Sequence, residues 1–136
     1  MLVDTNVLSQ LTRRHGDEGV KRWIDANFDD LLVPAIVISE LMYGAYKNAD
    51  PAQRGQLIDV TTALILDLAG KIEPFGAEDA QLHGRLTGES ARAGKSLPAS
   101  DSMVLAMAIT RGVPVATRNL KHFEGFGLEL IDPWRA

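Results

Sequence analysis

The sequence has no cysteine. Disulfides, thiolate zinc sites and cysteine nucleophiles are excluded together, and a reducing compartment is permitted. It also lacks the marks of export. Met1-Leu2-Val3 runs straight into Asp4 with no basic segment before it, so no signal peptide is expected. No apolar run is long enough to span a bilayer, and a cytoplasmic location away from membranes is the expectation. Internal repeats, low-complexity tracts and Ser/Gly linkers are absent as well. There is no Gly-rich phosphate loop and no Gly-x-Ser-x-Gly elbow, which removes support for nucleotide-binding and hydrolase-triad readings. Basic excess is missing too. The formal charge is −4, which taken alone argues against a nucleic-acid binder.

What is present is an ordinary globular composition. Hydrophobic residues make up 46% and charged residues 24% of 136 positions, which suits one domain covering residues 1–136. Val20, Trp23, Ile24 and Phe28 recur at helical spacing and predict a helix over about 17–27. Further helices are predicted over 36–47, 51–68, 78–93 and from Pro98 to Gly112. Ile36, Val37, Leu41 and Gly44 are expected to face inward on the first of these. Short apolar runs at 1–3, 31–33, 71–74, 113–117 and 128–131 read as strands, with Pro34 ending the second. Alternation of this kind predicts an α/β fold with a largely parallel central sheet, whose ligands bind beyond the carboxyl ends of the strands.

Three carboxylates stand in apolar surroundings. Asp4 follows a strand and is flanked by Val3, Val7 and Leu8. Glu40 lies within Ile36-Val37-Ile38-Ser39-Glu40-Leu41-Met42. Asp101 opens the most apolar helix, three residues after Pro98. Singly, each has a commoner structural role: Asp4 as a helix cap, Asp101 favoured by a helix dipole, Glu40 on an exposed stripe. Jointly those roles weaken. Two bare carboxylates about 4 Å apart repel by about 4 kcal/mol at an effective dielectric of 20, and no lysine or arginine lies in these segments. Shared protons, basic partners or a bound cation would stabilise such a cluster, and an all-oxygen set suits Mg²⁺, with Mn²⁺ as a substitute. His15, His83 and His122 have no metal-ligand spacing to one another.

At this point the residues match a family. The opening Met-Leu-Val-Asp4-Thr5-Asn6, the segment Ile38-Ser39-Glu40-Leu41-Met42-Tyr43-Gly44, the segment Pro98-Ala-Ser-Asp101-Ser-Met-Val-Leu-Ala106 and the closing Ala116-Thr117-Arg118-Asn119 through Phe123, followed by Pro133-Trp134, occur in order along nearly the whole chain. Together they resemble the PIN-domain ribonucleases, and within them the VapC and FitB type toxins. The resemblance implies a parallel sheet of four or five strands between helices, with Asp4, Glu40 and Asp101 meeting at one edge as metal ligands. It implies Mg²⁺-dependent RNA hydrolysis, a homodimer, and a small antitoxin of the VapB or FitA kind whose C-terminal segment occupies the groove. Higher hetero-oligomers with that antitoxin are also implied. The family often has aspartate where Asn119 stands. An amide still coordinates through its carbonyl but brings no charge, so one firmly held ion is expected.

On this reading Asp4 and Asp101 chiefly hold the metal, while Glu40 holds a water or second ion and accepts a proton. Thr5, Asn6 and Thr117, with Asn119, are placed to orient them. The negative net charge is answered locally: Arg13 and Arg14 follow the first motif, and Arg118 and Lys121 sit beside Asn119, as candidates to grip RNA phosphates. Two alternatives remain in view. An aspartyl phosphatase would want Asp-x-Asp-x-Thr, but Asn6 and Leu8 stand at its third and fifth positions. A PIN-like protein without turnover, acting as a partner in an antitoxin–DNA repressor complex, needs no metal and suits Asn119 slightly better.

Overall fold

Asp4 ends the first strand by capping the next turn of chain: its Oδ1 accepts the Thr5 backbone N–H at 2.8 Å, leading into a helix of one turn. In the computed structural model, which describes residues 1–136, this β-to-α handover recurs. The strands are β1 (Leu2–Val3), β2 (Val33–Pro34), β3 (Ile72–Glu73), β4 (Val115–Ala116) and β5 (Leu130–Ile131). The α-helices are α1 (Thr5–Leu8), α2 (Glu18–Asn27), α3 (Ala35–Tyr46), α4 (Pro51–Asp67), α5 (Ala77–Arg92) and α6 (Ala99–Arg111). Single 3₁₀ turns occupy Ser9–Leu11, Phe28–Asp30 and Leu120–His122.

All strand pairs are parallel. One piece of sheet runs β1-β4-β5 and another β2-β3. A parallel bridge between Leu2 and Leu32 joins them, with Leu32 N–H bonded to Met1 O at 2.8 Å and Val3 N–H to Leu32 O at 3.0 Å. The spatial order is therefore β3-β2-β1-β4-β5, which is the expected parallel sheet with helices around it. Chain direction reverses its progress across the sheet at β1, and the crevice beyond the strand ends there is where ligands of such sheets collect.

The core is built from the strands and one helix. Leu2, Val3, Val115 and Ala116 are fully buried, as are Val104, Leu105 and Met107 of α6, and Phe123 closes one end. Gly112, at φ +62°, terminates α6 in the left-handed region that glycine enters without strain. Gly16 is required for space: a Cβ there would stand 2.0 Å from the Gln10 carbonyl oxygen. Sequence and structure differ in two small ways. Pro34 lies within β2, because its fixed φ of −58° suits extended backbone and also leads into α3. The inward face of α3 is Val37, Leu41 and Ala45, with Gly44 half-buried beside them, a shift of one position in helical phase.

Candidate active site

Each site carboxylate is carried by a different element, and the fold brings them together. Asp4 follows β1, Glu40 is in the second turn of α3 just after β2, and Asp101 is in the first turn of α6. Asp4, Glu40, Asp101 and Asn119 line one open cleft of about 450 Å³. Thr5, Asn6 and Arg13 line it as well, and so do Lys47 and Thr61, which no sequence pattern singles out.

Hydroxyls and amides hold the acids in place. Thr5 Oγ1 donates to Glu40 Oε1 at 2.7 Å, tying α1 to α3. Thr117, fully buried, donates its hydroxyl to Asp4 Oδ2 at 2.8 Å and accepts the Asn119 backbone N–H at 3.0 Å. Asn6 completes the frame: its amide reaches Asp4 Oδ2 and Thr117 Oγ1, each at 3.3 Å, and its carbonyl accepts the Arg118 N–H at 3.2 Å. One hydroxyl of Thr117 thus joins three neighbours, using its single proton and both lone pairs. The ends of β1 and β4 are locked in register by these side chains, of which Asp4 and Asn6 also line the cleft while Thr117 stays buried.

The electrostatics are asymmetric. Burial pushes the Asp4 carboxyl up from 3.8 to about 6, and the negative charges of Asp101 and Glu40 push the same way. Hydrogen bonds from Thr117 and the Thr5 N–H oppose this and do not prevail. No ion pair in the protein involves Asp4 or Glu40. Asp101 does have a partner: His122 Nδ1, from the 3₁₀ turn after β4, hydrogen-bonds its Oδ2. In the sequence His122 stands out only as a neighbour of other basic residues. An apolar helix start and a polar loop separated by 21 residues carry no pairing signal.

The donor set suits a hard divalent cation: three carboxylates, neutral oxygens, and a buried acid without a lysine or arginine. As the side chains stand, no three acidic or imidazole groups are close enough to share one ion. The residues fit an ion held by one or two carboxylates with water filling the remaining positions, which is the habit of Mg²⁺. The basic candidates divide. Arg13 reaches the acid cleft, whereas Arg14 lines a neighbouring groove against α4. Arg118 and Lys121 line a second cleft that shares Asn119 with the first.

A strand-end cluster of acids on a parallel sheet of this order defines a class, and comparison with known proteins supplies the family. The PIN domain pattern matches residues 1–125, and the chain belongs to that family. It is 33% identical to the VapC ribonuclease Y4jK of Sinorhizobium fredii, over 98% of this chain and 97% of that one. It is 29% identical to Toxin FitB of Neisseria gonorrhoeae, over 98% of each chain. A crystal structure of FitAcB from the same organism superposes with a TM-score of 0.86 at 29% identity, covering 99% of each chain. No helix here is long and apolar enough to cross a membrane.

Proposed function

We propose that this protein is a Mg²⁺-dependent endoribonuclease, the toxin of a type II toxin–antitoxin module, acting in the cytoplasm. One observation carries the chemistry: Asp4 is buried in a polar cleft beside Glu40 and Asp101, its charge is disfavoured there, and no lysine or arginine relieves it. The names ribonuclease and toxin among its relatives support the reaction class and the role. The family resemblance supports a homodimer, higher assemblies, and an antitoxin whose C-terminal segment fills the groove.

Asp4 and Asp101 would hold a divalent cation, which would supply charge neutralisation at the phosphate and acidify a water. The protein's own groups do the rest. Glu40, steadied by the Thr5 hydroxyl, faces the cleft from α3 and takes the proton of the attacking water. Thr117 and Asn6 fix the direction of the Asp4 carboxylate, so that it would meet a cation without reorganising. The Asn119 side chain at the rim offers an amide to the substrate or its waters. Arg13 and Lys47 bring positive charge to the same cleft for the phosphate backbone.

The reading without turnover draws on one observation, that the acids do not converge on a single point. Purified protein incubated with RNA separates the two. Cleavage that needs Mg²⁺, stops in EDTA and falls by about a thousandfold or more in Asp4→Asn and Asp101→Asn supports the nuclease, a loss of about 4 kcal/mol in transition-state stabilisation. Full cleavage by both variants, or none by the wild type, overturns it.

A further inference from the structure

We infer that the second cleft, beside the C-terminus, binds the RNA strand where it continues past the scissile phosphate, with Arg118 stacked on Trp134 as a platform for one base. This rests on the ribonuclease reading and names a place for its substrate. The cleft has a volume of about 470 Å³, within the range of small-ligand sites. The Arg118 guanidinium carbon lies 4.9 Å from the centre of the Trp134 ring, and the indole is half-buried against the core. A guanidinium placed over the indole leaves its outer side open to a base, and unstacked RNA bases stack on arginine planes as well as on aromatic rings.

Charge points the same way. The chain carries −4 overall, yet this wall gathers Arg118, Lys121 and Arg135 against Glu124 and Asp132. Arg135 is paired with Asp132 at 3.6 Å, while Arg118 and Lys121 have no carboxylate partner and are exposed. Cations without partners beside a stacked ring match a phosphate next to a base. An acidic peptide would use the cations and leave the ring idle.

Continuity completes the argument. Asn119 stands in the walls of both clefts, so a strand leaving the carboxylates across Asn119 enters the Trp134 cleft next. Arg118 and Asn119 are anchored to the catalytic frame through their backbone N–H groups, on Asn6 Oδ1 and Thr117 Oγ1. The platform is therefore held at a fixed offset from Asp4.

The test is anisotropy of a short fluorescein-labelled single-stranded RNA with the full chain in EDTA, then cleavage kinetics in Mg²⁺. Trp134→Leu is expected to weaken binding about tenfold, the effect of losing one stacked base, with Trp134→Phe retaining most of it. Arg118→Gln, at an exposed position, should weaken binding severalfold and reduce the salt slope by about 0.7. It carries the test if Trp134→Leu fails to fold. In cleavage, both losses should fall chiefly on KM, and Arg92→Gln, outside either cleft on α5, should match the wild type. Unchanged affinity and KM in Trp134→Leu and Arg118→Gln overturn the inference while wild-type cleavage leaves the ribonuclease reading standing. So does a loss confined to binding of poly-glutamate, which would make this a protein-binding face. A wild type that neither binds nor cuts RNA overturns both.

Discussion

Asp4 and Asp79 are buried to nearly the same degree, 3% and 4% exposed, and the protein treats them in opposite ways. Burial raises the pKa of each, but at Asp79 it is outweighed by the Thr110 hydroxyl, the Gly76 N–H and the Arg111 guanidinium, and the carboxyl ends below its ordinary 3.8. Those partners lie at 2.5, 2.8 and 2.9 Å. Arg111 also reaches Glu73 at 3.5 Å and the Pro74 carbonyl at 3.0 Å, so Asp79 has a cation beside it and the cluster ties β3, α5 and α6 together. Asp4 receives hydroxyl, amide and backbone hydrogen bonds and no lysine or arginine. A buried acid with a cation is a fastening. A buried acid left without one, facing a cleft with two others, is set up for something that comes from outside.

The contrast breaks first at the fastening. Asp79→Ala should destabilise the fold by about 3 kcal/mol, the low end for breaking a buried pair because the Arg111 side chain remains 23% exposed. Urea unfolding measures it, and a loss below about 1 kcal/mol would make Asp79 an ordinary surface cap. Slightly smaller is the response to metal. Mg²⁺ at about a hundred times its dissociation constant should stabilise the wild type by about 2.7 kcal/mol. The same addition should do far less for Asp4→Asn and nothing different for Asp79→Ala. Equal stabilisation of all three proteins would place the ion elsewhere.

The difference between the two aspartates is only half legible in the sequence. Asp4, Glu40 and Asp101 stand out because each interrupts apolar residues. The strand-then-helix rhythm puts Asp4 and Glu40 at one sheet edge, while Asp101, on a helix that follows a helix, joins them only through the family resemblance. Asp79 sits in a polar helix start and looks like any first-turn acid. Its partner Arg111 lies 32 residues away at the end of α6, and nothing local connects them. His122 reaching Asp101, and Lys47 and Thr61 entering the cleft from α3–α4, are hidden for the same reason. Periodicity reports which face of an element is buried, and it does not report what another element brings to that face. The one-position difference between Gly44 and Ala45 shows a second limit, since one residue of phase moves a side chain by about 100° around a helix.

The sharpest use of the comparison is pH. For Asp4 the folded-state pKa, about 6, lies above the ordinary 3.8. Its contribution favours the fold fully below about pH 3.8 and is lost as pH rises through 6, so that ionising it costs the folded state about 3 kcal/mol at neutral pH. Asp79, with its pKa lowered, works in the other direction: its stabilisation is present above 3.8 and fades as pH falls below that. Asp4→Asn in EDTA should therefore stabilise the protein at pH 7 by about 2 kcal/mol. The gain falls short of 3 because asparagine presents an amide to one of the donors that Asp4 accepts. It should shrink steadily toward pH 4, where the native carboxyl is protonated and the two side chains carry the same charge. A variant equally stable at pH 7 and pH 4 relative to wild type would mean that Asp4 is not held against its charge, and the reason for a cation in this cleft would go with it.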